Sequence, residues 1–425
     1  MPTSAHLATI RHLIAPLCIF ILAFDSRSLF FVNFNFNLSN YDNEKEREGD
    51  EKSISSLEDL LRKNHYPYED HQIETEDGYI LGIHRMPQKN GVPIFLQHGL
   101  LLSSTDWLKN GPNRSLAYLL WDEGYDVWLG NFRGNAYSRK HTTLTPKDKE
   151  FWDFSWHELG YYDMPAVIHH IRKTTGKDIF YVGYSMGGAS FSIMASERPD
   201  AAKHVRAMIG LAPAVYEYHL TQPLIRFLSV FWREIKFATK AVGFYEFANQ
   251  GGVFDTIFND LCNVTFVREH VCSNIILFSF GYNPPQLDYS RIPIYLGAFP
   301  MGTSMNVILH WFQYMRVNEF RNFDHGRKKN LQLYNQAEPP AYDLTKIQIP
   351  VATFTSDNDA IVDSRDAKHF YEQMPNKLGI YDLSEYGFNH VDYVWGLNAT
   401  ELIYQDVLRI LRYDDAHSYH LISSI

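Results

Sequence analysis

The chain has 425 residues, of which 45% are hydrophobic and 15% aromatic, and its formal net charge at pH 7 is −10. A chain of this length and apolar content can bury one large core and still carry an inserted segment. The negative charge argues against a nucleic-acid partner, and the sequence contains no polybasic patch, internal repeat, Cys/His metal spacing or phosphate-binding glycine loop.

The N-terminus predicts entry into the secretory pathway. Residues 13–24 form an apolar run that is too short to span a bilayer comfortably, which indicates a signal peptide over residues 1–28. An uncleaved signal anchor is the alternative. Residues 29–56 are dense in charged side chains toward their end and predict a flexible spacer. The same route fits four acceptor sequons for N-glycosylation, at Asn37, Asn113, Asn263 and Asn398.

Residues 57–214 predict the first part of an α/β core. Gln72–Arg85 indicate an antiparallel hairpin around a Glu-Asp-Gly turn, and Val92–Gln97 indicate a buried strand. Predicted strands then alternate with helical segments, which is the pattern of a mostly parallel sheet flanked by helices.

Gly183-Tyr184-Ser185-Met186-Gly187 is a G-x-S-x-G motif between a predicted strand, Asp178–Val182, and a predicted helix. This context is typical of the nucleophile elbow of an α/β hydrolase, where the serine lies on a sharp, strained turn. Glycines are needed on both sides, because side chains there would collide with the neighbouring strand and helix. We therefore expect Ser185 to be a nucleophile.

A serine that attacks a carbonyl group needs N–H donors for the negative charge that develops on the oxygen. In this fold one donor is the amide after the nucleophile, here Met186, and the other lies in the loop after an early strand. His98-Gly99-Leu100 directly follows Val92–Gln97, so Leu100 is the predicted second donor, with Gly99 allowing a tight turn. An ordinary strand-ending turn is the alternative.

The nucleophile also needs a base, and the base needs an acid to orient it, in the chain order Ser, Asp/Glu, His. Pro350–Thr355 and Gly379–Leu383 predict two further strands. Asp359 lies just past the first of them, and His390 lies in the loop after the second. Because the carboxyl ends of parallel strands meet at one edge of a sheet, Ser185, Asp359 and His390 form the predicted triad.

Three other acids, Asp357, Asp363 and Asp366, compete with Asp359 for the orienting role. Asp357 also suits a tight turn, and Asp363 suits the N-cap of a helix that begins near Ser364. The chain has 19 histidines, but His390 is the one that follows the last predicted strand.

Residues 215–345 interrupt the alternation of strands and helices and predict a mainly helical cap, after which the core resumes over residues 346–425. An aromatic cap over a serine site suits a long acyl chain, which offers little except apolar area. We expect most of the cap aromatics to pack its own core: Phe227, Phe231, Trp232, Phe237, Phe244, Tyr245, Phe247, Phe254 and Phe258.

Further stretches are specific enough to indicate a family: Thr75–Leu81, Gln97–Leu101, Gly124–Asn135, Tyr162–Ala166, Asn358-Asp359 and Asn389–Trp395. With them the chain resembles, from about residue 55 to residue 412, the acid and neutral lipase family that includes gastric lipase and lysosomal acid lipase. The resemblance implies the α/β-hydrolase fold and the same triad and oxyanion amides as the motifs predict.

The chain departs from the family pattern beside the nucleophile. The family usually has His before the serine and Gln after it, where this chain has Tyr184 and Met186. The oxyanion hole uses only the backbone at position 186, so catalysis should survive the change. Substrate fit and pH behaviour are where we expect this chain to differ, and the loop before His390 is slightly longer than usual.

The resemblance also implies a disulfide between Cys262 and Cys272, as in the caps of the family. These are the two cysteines that remain after signal cleavage, and an oxidising compartment favours their pairing. Two free buried thiols are the alternative. Asn113 resembles a glycosylated position of the family.

These predictions describe a serine-dependent carboxylic ester hydrolase, a lipase that cleaves acylglycerols or sterol esters at a lipid–water interface and needs no metal or organic cofactor. We expect a monomer that is secreted or lysosomal. A short-chain carboxylesterase of the same fold and a non-catalytic lipid-binding protein are the alternatives. The complete triad disfavours the second, since inactive relatives of enzymes commonly lack one catalytic residue.

Overall fold

The structure is a computed structural model that describes residues 57–248 and 262–412. The predicted signal peptide and spacer, the sequon at Asn37, and the aromatic residues Phe254 and Phe258 lie outside the described residues.

The described part of the chain is organised around one large sheet. Its strands, in chain order, are β1 (Glu69–Glu74), β2 (Tyr79–Met86), β3 (Pro93–Gln97), β4 (Asp126–Leu129), β5 (Lys140–His141), β6 (Ile179–Tyr184), β7 (Val205–Leu211), β8 (Glu246–Phe247), β9 (Thr303–Ser304), β10 (Val351–Thr355) and β11 (Lys377–Asp382). Nine of them form a sheet in the order β1-β2-β4-β3-β6-β7-β10-β11, with β5 beside β2, while β8 and β9 form a separate antiparallel pair.

The large sheet combines an antiparallel edge with a parallel centre. β1 and β2 form the predicted hairpin, β2 runs antiparallel to β4, and every pair from β4 to β11 is parallel. The central strands β3, β4, β6 and β10 are buried along their whole length. Strands covered on both faces have continuous apolar runs and no alternation, which is why β3, β6 and β10 could be predicted from their apolar runs.

Helices cover the sheet and fill the long connection between β7 and β10. They are α1 (Leu57–Lys63), α2 (Leu116–Asp122), α3 (Met164–Thr175), α4 (Met186–Glu197), α5 (Pro223–Val230), α6 (Trp232–Ala241), α7 (Ser273–Phe280), α8 (Ile292–Gly297), α9 (Met305–Tyr314), α10 (Arg327–Tyr334) and α11 (Ser364–Glu372), with shorter turns at Trp156–Glu158, Pro199–Ala202, Thr265–Val267 and Asp392–Trp395. None of these described helices is long and apolar enough to cross a membrane. The predicted fold, a mostly parallel sheet flanked by helices, is confirmed.

The connection from β7 to β10 contains α5 to α10 and the pair β8–β9, so the described residues of this stretch are mainly helical. Its treatment as a separate cap over residues 215–345 stays a prediction. The expectation that its aromatic side chains pack inward is wrong for four of them, since Phe227, Phe231, Phe237 and Phe244 are 42% to 77% exposed. They lie on and just after α5 and α6, whose apolar residues turn partly toward solvent, whereas Trp232 is buried.

Candidate active site

The predicted nucleophile lies on the turn between β6 and α4. β6 ends at Tyr184 and α4 begins at Met186, so Ser185 alone joins the strand to the helix, with a φ of +52°. A residue with a side chain rarely adopts this conformation, and such strain is concentrated at functional sites.

The two flanking glycines are required by close packing. A Cβ at Gly187 would lie 2.5 Å from the carbonyl oxygen of Gln97, the last residue of β3. A Cβ at Gly183 would lie 2.9 Å from the carbonyl carbon of Gly187, at the start of α4. These are the collisions with strand and helix that the motif predicts, and they explain why the sharp turn cannot be built with larger residues.

The structure brings Ser185, His390 and Asp359 together in one line of hydrogen bonds. Nε2 of His390 lies 2.9 Å from Oγ of Ser185, and Nδ1 of His390 lies 2.8 Å from Oδ2 of Asp359. All three residues are buried, with at most 5% of their surface exposed. The three follow the carboxyl ends of the parallel strands β6, β10 and β11. β10 and β11 are adjacent, and β7 lies between β6 and β10, so residues distant in sequence meet at one edge of the sheet.

Asp359 is held by the backbone as well as by His390. Its Oδ1 accepts hydrogen bonds from the amides of Ile361 and Val362, each 2.9 Å long. Both oxygens of the carboxylate therefore have donors, one from the side chain of His390 and two from its own loop. This arrangement fixes which oxygen faces the imidazole.

The competing acids have other partners. Asp357 is exposed and accepts a hydrogen bond from the hydroxyl of Ser364. Asp363 is the N-cap of α11, as its spacing allowed, and Asp366 lies 2.6 Å from Nδ1 of His219. Among the described residues, none of these three carboxylates contacts His390.

The loop after β3 lies beside the nucleophile. A Cβ at Gly99 would lie 3.0 Å from both Cβ of Ser185 and the ring of Tyr184, so close approach is what requires a glycine here. The sequence predicts a glycine here because it allows a tight turn, but the residue of this turn with a positive φ, +62°, is Leu101. The amide of Leu100 has no acceptor among the described residues, and Met186 is the first residue of α4, where an N–H has no partner within the helix.

The side chain of His98 fixes this loop, a role that the sequence interpretation missed. Its Nε2 accepts the N–H of Phe132 at 3.2 Å, so its Nδ1 carries the proton and donates to the carbonyl oxygen of Gly99 at 2.7 Å. Burial lowers the pKa of His98 to about 4, which keeps the ring neutral. In a trans peptide the carbonyl and the next N–H point in opposite directions, so holding the Gly99 carbonyl also fixes the direction of the Leu100 N–H.

Tyr184 supports the predicted base directly. Its hydroxyl donates a hydrogen bond of 2.6 Å to the carbonyl oxygen of His390, and the two rings lie 5.1 Å apart between centroids. Burial raises the pKa of Tyr184 well above its usual value, so the phenol stays protonated and remains a donor. The departure from the family pattern at this position was visible in the sequence, but the contact with His390 was not.

The other predicted sites are placed as follows. Cys262 and Cys272 form a disulfide, with their Cα atoms 6.0 Å apart. Asn113, Asn263 and Asn398 are exposed, and their glycosylation stays a prediction. In residues 57–248 and 262–412, no three His, Cys, Asp or Glu side chains are grouped so that they could hold a metal ion.

Two family descriptions match the sequence. Residues 57–111 match a partial alpha/beta-hydrolase lipase region, and residues 92–242 match the alpha/beta hydrolase fold. A solved structure from Sulfolobus solfataricus superposes with a TM-score of 0.53 at 17% identity, covering 81% of this chain and 94% of that one. At this identity the likeness shows the fold alone.

Several curated proteins are similar over most of their length. The chain is 38% identical to Lipase 1 of Drosophila melanogaster, covering 84% of this chain and 80% of that protein. It is 38% identical to lipase member K of Homo sapiens, covering 81% and 88%. It is 35% identical to gastric triacylglycerol lipase of Rattus norvegicus, covering 86% and 94%.

Proposed function

This chain belongs to the α/β-hydrolase lipases, the family of gastric triacylglycerol lipase, and we propose that it hydrolyses carboxylic esters of lipids through an acyl-enzyme on Ser185. The observation that carries this proposal is the line of hydrogen bonds from Ser185 through His390 to Asp359, with the serine on a strained turn. A nucleophile within hydrogen-bond reach of a base, which is itself oriented by an acid, is the arrangement that serine acyl transfer requires.

The reaction proceeds by two proton transfers through one nitrogen. Nε2 of His390 accepts the proton of Ser185 as Oγ attacks the ester carbonyl carbon. The amides of Leu100 and Met186 donate to the resulting oxyanion, and Asp359 stabilises the imidazolium through Nδ1. Nε2 then donates its proton to the leaving alcohol oxygen.

Release of the acid repeats these steps with water. His390 takes a proton from a water molecule, the hydroxide attacks the acyl carbon, and the same two amides hold the second oxyanion. The proton returns to Oγ of Ser185 as the fatty acid leaves. Nε2 must be free to accept at the start of both halves, which is why Asp359 has to hold the proton of the neutral ring on Nδ1.

We propose a substrate with a medium or long acyl chain at a lipid–water interface. Phe227, Phe231, Phe237 and Phe244 are exposed around α5 and α6, and exposed clusters of large apolar side chains mark interaction surfaces. Phe227 and Phe231 also contact each other, with ring centroids 5.2 Å apart. Acylglycerols and sterol esters both fit this proposal.

We also propose that the protein acts after entry into the secretory pathway, as a secreted or lysosomal monomer. The disulfide between Cys262 and Cys272 supports an oxidising compartment. The exposure of Asn113, Asn263 and Asn398 leaves these sequons accessible to the glycosylation machinery.

A fluorophosphonate probe tests the proposed chemistry, because it labels only an activated serine. Wild-type protein should be labelled and should hydrolyse esters, while Ser185→Ala should take no label and lose a factor on the order of 10⁶ in kcat. Ser190→Ala is the matched control, because Ser190 is buried on α4 and its hydroxyl has no partner among the described residues.

A substrate panel then defines the class of ester. Acylglycerols, a cholesteryl ester and short p-nitrophenyl esters, each at acid and neutral pH, separate a lipase from a short-chain carboxylesterase.

If Ser185→Ala retained activity within about tenfold of wild type, the nucleophile would lie elsewhere. A folded wild-type protein that takes no label would instead support a non-catalytic lipid-binding protein.

A further inference from the structure

A short segment at the C-terminal end of α7 runs between the loop of the predicted acid and the loop of the predicted base. It consists of residues 280–283 and lies within the predicted insertion, far in sequence from both loops. We call it the clamp segment. Its contacts with the two loops use its backbone carbonyls and one side chain, and they fall on His390 itself and on residues close to Asp359 and His390.

One carbonyl oxygen of the clamp segment joins the two loops. The carbonyl oxygen of Phe280 accepts the N–H of Ala360 at 3.2 Å and the N–H of His390 at 3.0 Å. Ala360 directly follows Asp359 in the chain. The backbone of the base and the backbone beside the acid are therefore tied to the same atom, and this atom belongs to neither loop.

The next two carbonyls hold the residues that precede the acid and the base. Asn389 donates from Nδ2 to the carbonyl oxygen of Gly281 at 2.9 Å, and Asn358 donates from Nδ2 to that of Tyr282 at 3.2 Å. Nδ2 of Asn358 also donates a hydrogen bond of 2.6 Å to the carbonyl oxygen of Gly387, which connects the two loops directly.

The side chain of Asn283 completes the contact. Its Nδ2 donates to Oδ2 of Asp392 at 2.8 Å, and the same oxygen accepts the N–H of Asn389 at 2.8 Å. Burial raises the pKa of Asp392 to about 7, and these two donors favour its charged form against that effect. The end of the base loop is thus fastened to the clamp segment by a buried hydrogen bond.

Only glycine fits at position 281. Its φ is +121°, which side chains rarely allow, and a Cβ there would overlap the carbonyl oxygen of Asn358 and lie 2.8 Å from Cβ of Asn389. The two atoms that such a Cβ would displace belong to the residues just before the acid and the base. A methyl group at this position therefore pushes the two loops apart.

We propose that the clamp segment sets the distance between Asp359 and His390, and that Gly281 and Asn283 are positioning residues for the reaction. This inference rests on the proposed function of Ser185. It means that the insertion does more than contact substrate: it contributes the backbone against which the acid and the base are aligned. A displacement of about 1 Å in such a geometry costs on the order of 100-fold in rate.

The test compares two glycines of the insertion that share a positive φ. Gly281→Ala changes the clamp segment, whereas Gly326→Ala is the control, because Gly326 has a φ of +94° and nothing within 4 Å of a Cβ. Active sites are counted by complete labelling with excess fluorophosphonate, and kcat and KM for a soluble p-nitrophenyl ester are expressed per labelled site. A merely structural role lowers the number of labelled sites, but it leaves turnover per site unchanged.

We expect Gly281→Ala to lose about 100-fold in kcat per labelled site with KM unchanged, and Gly326→Ala to keep the wild-type kcat. Asn283→Ala provides the answer if Gly281→Ala does not fold, since it removes only side-chain hydrogen bonds, to Asp392 and to the carbonyl oxygen of Tyr386, and adds no backbone strain. It should lose about tenfold in kcat per site, because losing these contacts displaces the base loop less than the added Cβ of Gly281→Ala does. Asn274→Ala, which changes an exposed amide on α7, is its control.

The outcomes separate this inference from the proposed function. Wild-type turnover per labelled site in Asn283→Ala, or in a folded Gly281→Ala, would overturn the role of the clamp segment while Ser185 remained the nucleophile. Wild-type protein that takes no label would overturn the proposed function and the inference with it.

Discussion

Replacing Asp359 with Asn tests which nitrogen of His390 carries the proton. Oδ1 of Asp359 accepts two backbone amides, from Ile361 and Val362, and Oδ2 faces Nδ1 of His390. The carbonyl oxygen of an Asn side chain must take the Oδ1 position, because an NH₂ group cannot accept the two amides. Its NH₂ group then points at Nδ1 of His390.

A donor facing Nδ1 forces the proton of neutral His390 onto Nε2. A protonated Nε2 cannot accept the proton of Ser185, which lies 2.9 Å away, so the base is lost although the geometry is retained. We expect kcat to fall by about 10⁴-fold, the cost of the wrong tautomer in a serine triad. This loss corresponds to an increase of about 5.5 kcal/mol in the activation free energy.

The assay is the initial rate of hydrolysis of a soluble p-nitrophenyl ester, with the melting temperature as the check on folding. Asp357→Asn is the matched control, because Asp357 is an exposed acid of the same loop whose partner is the hydroxyl of Ser364. The control should lose far less activity. A loss of less than about 100-fold in Asp359→Asn, or a larger loss in Asp357→Asn, would refute the assignment of the acid.

Three further predictions concern stability, pH and substrate length. Tyr184→Phe leaves the buried carbonyl of His390 without its 2.6 Å hydrogen bond and should lower the free energy of unfolding in urea by about 1–3 kcal/mol; unchanged stability would contradict this. Burial lowers the pKa of His310 to about 3, so between about pH 6.5 and pH 3 this histidine is protonated in the unfolded state but not in the folded state. The free energy of unfolding therefore decreases as the pH is lowered through this range. The non-titrating His310→Gln should therefore lose about 2 kcal/mol less than wild type between pH 7 and pH 5 in urea titrations, and equal losses would show that His310 is not linked to folding. Lengthening the acyl chain of the ester by four carbons should lower the activation free energy that corresponds to kcat/KM by up to about 3 kcal/mol. A profile of kcat/KM that peaks at acetate or butyrate esters would exclude a long-chain site.

Much of the fold and the triad could be predicted because the relevant signals are local. The buried strands β3, β6 and β10 are apolar runs, and Ser185, Asp359 and His390 each follow a predicted strand. The order of the three residues along the chain then leaves few arrangements at the edge of a parallel sheet. The catalytic roles themselves stay predictions until the variants are measured.

The contacts that align these residues could not be predicted, because they depend on tertiary packing. The carbonyl oxygen of Phe280 would be the same atom in any residue, so its position between two loops leaves no trace in residue type. The sequence predicts a glycine at position 99 for a tight turn, whereas the closeness of Gly99 to Ser185 is a distance between separate loops. The aromatic residues of α5 and α6 show how a residue type can mislead, since apolar composition alone does not distinguish a core from an exposed surface.

The hydrogen bond between the carbonyl oxygen of Phe280 and the N–H of His390 can form only late in synthesis of the chain. Ser185 leaves the ribosome well before His390, its proposed base, which lies 205 residues later in the chain. The clamp segment is synthesised after Ser185 and before the two loops. The carbonyl oxygen of Phe280 can therefore accept the N–H groups of Ala360 and His390 only after both loops have been synthesised. A chain that is not yet complete to residue 390 therefore lacks the imidazole beside Ser185, and with it the hydrogen bond that would activate this serine.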